Sequence, residues 1–271
     1  MAEVAVSQGG WNPTQYDRFK DERRQPFFDL AALVLPSESG SPGPRVADLG
    51  CGSGELTAWL HQELGAAETV GVDSSEAMLA QSEAHVRPGV RFERMDILEA
   101  TEAYAGQFDV VFSNAALQWI TGHESLIPRV ARLAKPGGQL AVQMPANGGH
   151  VSHRTAAAVA QEEPYRGALG GWLREDPVQA PDWYASLLHR EVGAAEQRVY
   201  LEVYGHLLPD TRAMVEWVKG SLLTAYLARL PEGLRQPFVE RYTERLLEAA
   251  GEQAPFFYPF PRVFLWARLP S

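Results

Sequence analysis

The chain has 271 residues, room for one large domain or two small ones, and its 24 Lys and Arg against 34 Asp and Glu give a formal charge of −10. That balance argues against a nucleic-acid partner, because such partners are held by cations placed on phosphates. A lone cysteine, Cys51, excludes an internal disulfide and a four-cysteine zinc site; no apolar run could span a membrane, and Met1–Gly10 lacks the pattern of an export signal, so the expected setting is the cytoplasm.

In chain order, Phe27 to Leu35 forms an apolar helical stretch, and Pro36–Pro44 is a Ser/Gly/Pro loop. An alternating series follows. Arg45–Leu49 is a short buried strand, Glu55–Leu64 an amphipathic helix, Thr69–Val72 a second strand, and Ser75–Ala84 a helix opened by Ser74 or Ser75. Val90–Met95 and Phe108–Ser113 are further strands, Glu124–Ala134 a helix, Pro136-Gly137-Gly138 a turn and Gln139–Met144 a fifth strand. Strands alternating with helices imply a doubly wound, parallel α/β sheet. Beyond Pro145 the character becomes helical: Val151–Glu163, Pro181–Val192, Thr211–Leu230 and Glu232–Ala250, with Gln197–His206 as one strand. Pro261–Arg268 closes the sheet.

The chemistry concentrates at strand ends. Gly50, Gly52 and Gly54 stand between the first strand and its helix, where a ligand can approach the backbone and a helix N-terminus. The spacing is not that of a dinucleotide loop, because the third glycine position of that fingerprint is Glu55, whose carboxylate would repel a pyrophosphate. Asp48 just ahead suits a ligand carrying positive charge. Asp73 ends the second strand and can accept two ribose hydroxyls; Asp96 ends the third and can accept from an adenine amine, beside the apolar Ile97; Asn114 ends the fourth. All lie on the carboxyl edge of the sheet, where open α/β folds bind ligands. A nucleoside ligand of positive charge is the reading. A nucleoside-binding protein without transfer activity, or a dehydrogenase, is the reading from another class.

These residues resemble class I methyltransferases that use S-adenosyl-L-methionine, in particular the trans-aconitate 2-methyltransferase family. The resemblance runs through WNPTQYDRFKDERRQP, GVDSSEAMLAQ, SNAALQWI, LAVQMPAN, VEWVKG and FPRVFLWAR, and so spans nearly the whole chain. It implies a doubly wound, mostly parallel seven-stranded sheet, Rossmann-like, with a helical cap. The expected parts are an N-terminal helical segment over the active site (1–35), a cofactor-binding core (44–146), a cap with one strand near 197–206 (147–250), and a closing strand (256–271). It also implies methyl transfer to a carboxylate of a small polycarboxylic acid, leaving S-adenosyl-L-homocysteine. Asp48, Gly50, Cys51, Gly52, Gly54, Asp73, Ser74, Asp96, Ile97 and Asn114 would take the cofactor. Tyr16, Arg23, Gln118, Trp119, Trp217 and Arg262 would meet the acceptor. No metal and no obligatory base is expected, since a carboxylate is ionised at neutral pH and needs only alignment. The rate should then be flat from about pH 6 to 9.

Two departures bear on the substrate. The arginine expected just before Pro26 is Gln25, and one expected near Leu223–Thr224 is absent, so a less charged acid is an open option. The alternative function is methylation of a phenol or amine with a histidine base, for which His150, His153 and His206 follow the fifth strand. A monomer or weak dimer, acting on a small molecule, is expected.

Overall fold

The computed structural model describes the backbone of residues 20–36 and 42–271, with side chains from Arg24 onward. Seven strands form one sheet: β1 (Arg45–Leu49), β2 (Glu68–Asp73), β3 (Val90–Arg94), β4 (Phe108–Asn114), β5 (Ala134–Pro145), β6 (Glu196–Leu208) and β7 (Phe256–Arg268). Their spatial order is β3-β2-β1-β4-β5-β7-β6. Strands β1 to β5 are parallel; β7 is antiparallel to both β5 and β6. The order reverses between β1 and β4, and in a doubly wound sheet that switch point opens a crevice.

Each face of the sheet is covered because the strands are apolar on both sides. On one face, Phe27 and Leu30 of helix α1 (Lys20–Ala31) and Leu60 of α2 (Glu55–Glu63) pack on Val46, Val110, Phe112 and Phe264. The next helices are α3 (Glu76–Ser82), α4 (Ile97–Ala103) and α5 (His123–Ala131). Ala100 of α4 and Leu126, Ile127 and Val130 of α5 join Val70, Val72, Val111, Leu140 and Leu265 in the core of the opposite face.

The third core belongs to the cap. Strands β6 and β7 are 13 residues each, and β7 pairs with β5 only through Arg262–Arg268. The rest of this hairpin, Phe256–Pro261 paired with Val203–Leu208, projects past the sheet. There Phe256, Tyr258 and Phe260 pack against the helical segments Val151–Ala160, Thr211–Lys219, Leu222–Leu227 and Glu232–Ala250. The cap is thus an extension of the sheet itself with helices laid on it.

Asp96 opens a helix that the sequence reading did not include: its side chain accepts the Leu98 N–H, Glu99 closes a reciprocal cap, and α4 follows. Three expectations need correction. The turn at Pro136–Gly138 lies inside β5 as an irregular register, Phe108 facing Ala134 while Val110 faces Gln139. The helix expected over Thr211–Leu230 breaks at Gly220-Ser221 into two. The closing strand begins at Phe256, five residues before the Pro261–Arg268 pattern though within the 256–271 segment expected from the resemblance, because Phe256, Tyr258 and Phe260 serve the cap core. Among the described residues no helix is long and apolar enough to cross a membrane.

Candidate active site

The loop after β1 is folded back on β2. The N–H groups of Gly50 and Cys51 both donate to the Val72 carbonyl, at 2.8 and 3.0 Å. Asp73 then locks two loops together: one carboxylate oxygen accepts the Gly52 N–H at 2.9 Å, the other the Ser75 N–H at 2.8 Å. The helix that follows is capped by Ser75, not by Ser74. Gly50 has φ +78°, and a Cβ there would stand 2.3 Å from the Ala116 Cβ, so only glycine fits between β1 and the segment after β4.

Asp48 lies behind this loop, 2% exposed, with the Thr57 hydroxyl donating to it at 2.6 Å. Burial, aided by the nearby Asp73 charge, pushes its pKa up to about 7 against the pull of the Thr57 bond. Asp48 is therefore an acid whose charge changes near neutral pH rather than a fixed anion. Burial and the same two acids raise the Cys51 thiol well above its usual range, which leaves it inert.

At the switch point, Ala115 sits at φ +54°, a strained position for a residue with a side chain. It is held by its N–H to the Gln143 carbonyl at 2.9 Å and by the Gln118 side-chain amide donating to its carbonyl at 2.6 Å. The buried side-chain oxygens of Asn114 and Gln118 have no donor among the described residues.

These groups open onto a cavity of about 440 Å³, within the usual range for a small-molecule site. Its far wall comes from the cap and the projecting hairpin: Trp217, Tyr258 and Phe260, whose rings meet edge-to-face or tilted at 5.5–5.9 Å between centroids. Arg262, 3% exposed, reaches in from β7, bonded to the Gln143 side-chain oxygen at 3.2 Å and lying 4.8 Å over the Phe260 ring. Arg24 enters from α1, paired with Glu55. Arg174 lies 5.6 Å over the Trp119 ring. His153 is the only histidine lining the cavity among the described residues.

Of the residues expected from sequence, Asp48, Gly50, Cys51, Gly52, Asp73, Ser74, Asp96, Ile97, Asn114, Gln118, Trp119, Trp217 and Arg262 line this one cavity. Gly54 does not; a Cβ there would press on Phe92 at 2.6 Å and Ser82 at 2.8 Å, so its glycine serves helix-to-sheet packing. The side chains of Tyr16 and Arg23 lie outside the described residues. His150 instead packs on the Tyr258 ring and His206 on Trp217. Sequence reasoning missed Arg174 and Asp176, which sit on an irregular segment without a motif, and gave no role to Asn147, at the end of LAVQMPAN, or to Arg24. Its only signal for Arg174 was a cation in a stretch without periodicity.

The residue set suits a ligand that is a cationic nucleoside. Acids line one end, the orphaned Asn114 and Gln118 oxygens call for hydroxyl or ammonium donors, and Gly50 leaves backbone space that any side chain would fill. Among the described residues no cluster of three or more His, Cys, Asp or Glu could hold a metal ion.

Comparison with known proteins agrees with this geometry. Residues 46–138 match a methyltransferase domain family. A trans-aconitate 2-methyltransferase of Deinococcus radiodurans is 42% identical over 268 residues, covering 96% of this chain and 99% of that one. Another, of Variovorax paradoxus, is 39% identical over 262 residues, covering 95% and 98%. Among solved structures, Haemonchus contortus phosphoethanolamine N-methyltransferase 2 in complex with S-adenosyl-L-methionine shares the fold at a TM-score of 0.52 and 20% identity, over 96% of this chain and 59% of that one. Similarity this high along nearly the full length, joined to the methyltransferase architecture, places the chain in the trans-aconitate 2-methyltransferase family.

Proposed function

We propose that the protein uses S-adenosyl-L-methionine to form a methyl ester on one carboxylate of trans-aconitate. The observation that carries this reading is the order of charge along one rim of the sheet. In spatial sequence the rim presents Asp96 after β3, Asp73 at the end of β2 and Asp48 in β1, then the neutral Asn114 at the end of β4, then Arg262 of β7 opposite Pro145 of β5. Arg174 adds a second cation over Trp119. A cationic donor and an anionic acceptor are thereby drawn to opposite ends of one cavity, and their junction falls at the switch point.

Asp73 would receive the ribose hydroxyls, the second oxygen of Asp96 with Ile97 the adenine, and Asp48 the ammonium group. When bound, S-adenosyl-L-methionine supplies a methyl group already activated by its sulfonium. The chain's own part is to orient and to exclude water. The strained Ala115 segment fixes Gln118 and Trp119 between the two ends, and the Trp217, Tyr258 and Phe260 rings close the acceptor side. Orientation of this kind contributes several kcal/mol or more. No proton has to be removed from a carboxylate acceptor.

The alternative with a histidine base is disfavoured by His153 itself. Burial and the adjacent Arg174 lower its pKa to about 3, too weak a base to deprotonate a phenol or an ammonium group. The two arginines missing at Gln25 and near Leu223–Thr224 do not leave the cavity without cations, since Arg24, Arg174 and Arg262 line it. The testing experiment is a labelled-methyl assay over tri-, di- and monocarboxylic acids. Label concentrated in a trans-aconitate monomethyl ester supports the reading; label in phenols or amines alone refutes it.

A further inference from the structure

Arg174 is a guanidinium on a loop, yet it is held like a core residue. Two residues earlier, Trp172 is wedged between Tyr226, at 5.4 Å between ring centroids, and Arg229, whose guanidinium lies 3.8 Å over it. The Arg174 N–H donates to the Tyr226 hydroxyl at 3.4 Å. Two residues on, Asp176 fits so closely against Gly148 that a Cβ at Gly148 would stand 1.6 Å from its carboxylate oxygen. The loop ends with the Gln179 N–H on the Tyr184 hydroxyl at 3.2 Å. A long side chain is thus delivered into the cavity from a backbone pinned at both ends, and its head lies over the Trp119 ring at cation–π distance.

The head itself lacks an ion-pair partner: among the described residues no carboxylate oxygen lies within 4.0 Å of it, although Arg24 is paired with Glu55. Burial draws its pKa down, with the more distant Asp176 and the Tyr226 hydroxyl acting against this. A pre-oriented, half-buried cation without a counter-ion is stabilised by an incoming anion. Its neighbour His153 is fixed as well. The Ser152 N–H donates to His150 Nδ1 at 3.2 Å, so the Ser152 hydroxyl also donates there, and its oxygen is left to accept from His153 Nδ1 at 3.2 Å. That chain places a proton on His153 Nδ1, and burial beside the Arg174 charge keeps the ring neutral, so no second cation is added there.

We propose that Arg174 is a positioning residue that takes one of the acceptor carboxylates that is not methylated, and so selects polycarboxylic over monocarboxylic acceptors. The inference rests on the reading of the protein as a carboxyl methyltransferase. Because a contact to a non-reacting group is made equally in ground and transition states, its loss should raise KM and leave kcat nearly unchanged.

The test combines deletion on the protein with deletion on the ligand. Arg174→Gln and Arg174→Lys are compared with the wild type for KM and kcat on trans-aconitate, and for inhibition by itaconate, glutaconate and mesaconate, each lacking one of its carboxylates. Arg174→Gln is expected to raise KM for trans-aconitate by about thirtyfold or more with kcat within about threefold, and Arg174→Lys to restore part of the loss. One of the three analogues, the one missing the carboxylate held by Arg174, should inhibit wild type and Arg174→Gln equally within about twofold, since the two deletions remove the same contact. Equal weakening of all three analogues, or no change in KM, overturns the proposal while methyl transfer by the wild type leaves the functional reading intact. A wild type that methylates no carboxylic acid overturns both.

Discussion

Asp48→Asn should make the protein more stable and a weaker binder of its cofactor. A carboxyl that titrates at about 7 in the fold, against an ordinary 3.8, costs the folded state about 4 kcal/mol once it is ionised. Between about pH 4 and 7 the folded chain binds a proton here that the unfolded chain has released. Stability from this group is therefore lost as pH rises through that window and is constant above it. Asparagine keeps an oxygen for the Thr57 hydroxyl and carries no charge, but its amide N–H₂ is buried without an assured acceptor, a penalty of about 2 kcal/mol. The net gain at pH 8 is about 2 kcal/mol, a rise in Tm of about 5 °C for a chain of this size. Thermal melts of both proteins from pH 5 to 8 read this directly: the difference should be near zero or reversed at pH 5 and grow to a plateau above pH 7. Calorimetric titration supplies the other half. With a cationic ligand that prefers ionised Asp48, wild-type affinity for S-adenosyl-L-methionine should fall about tenfold from pH 8 to pH 6, and the variant should be weak and independent of pH. A destabilised Asp48→Asn with wild-type pH dependence would refute the reasoning.

The remaining expectations are simpler. Asp73→Ala removes the acceptor of the Gly52 and Ser75 N–H groups and should raise the cofactor Kd at least about tenfold; unchanged affinity in a titration would remove Asp73 from the cofactor site. His153→Asn should lower kcat less than about threefold and leave its pH profile flat, where loss of a general base would cost at least about a hundredfold. With saturating cofactor, kcat should be flat from pH 6 to 9, but kcat/KM for the cofactor should fall below pH 7. With the Asp48 pKa raised to about 7, the flat profile expected from sequence is predicted for the saturated enzyme and not for the free one.

The core of this fold was legible because its signals are local and repeated. Buried strands such as Phe108–Asn114, glycines at a strand-to-helix turn, and acids at successive strand ends all follow from short-range rules. Asp48 was legible as a site but not as an acid of raised pKa, since that depends on burial behind a loop and on Asp73, 25 residues away. The acceptor side was read poorly for a related reason. Its walls come from Arg174 on an irregular loop, Tyr258 and Phe260 on a projecting hairpin, and Trp217 on a cap helix, and only the packing of the cap brings them together. The helix at Ile97 was missed because seven residues give too short a period, although the capping pair Asp96 and Glu99 stood in the sequence.

The central claim is that one cavity separates a cationic donor at its acidic end from an anionic acceptor at its basic end. A crystal structure of the protein with S-adenosyl-L-homocysteine and trans-aconitate tests it most directly. The adenosyl group should lie along Asp73 and Asp96, and the tricarboxylate on the side of Arg174 and Arg262, with one carboxylate facing the sulfur across Gln118 and Trp119. A tricarboxylate bound elsewhere, or a nucleoside lodged under the cap against the arginines, would contradict the account.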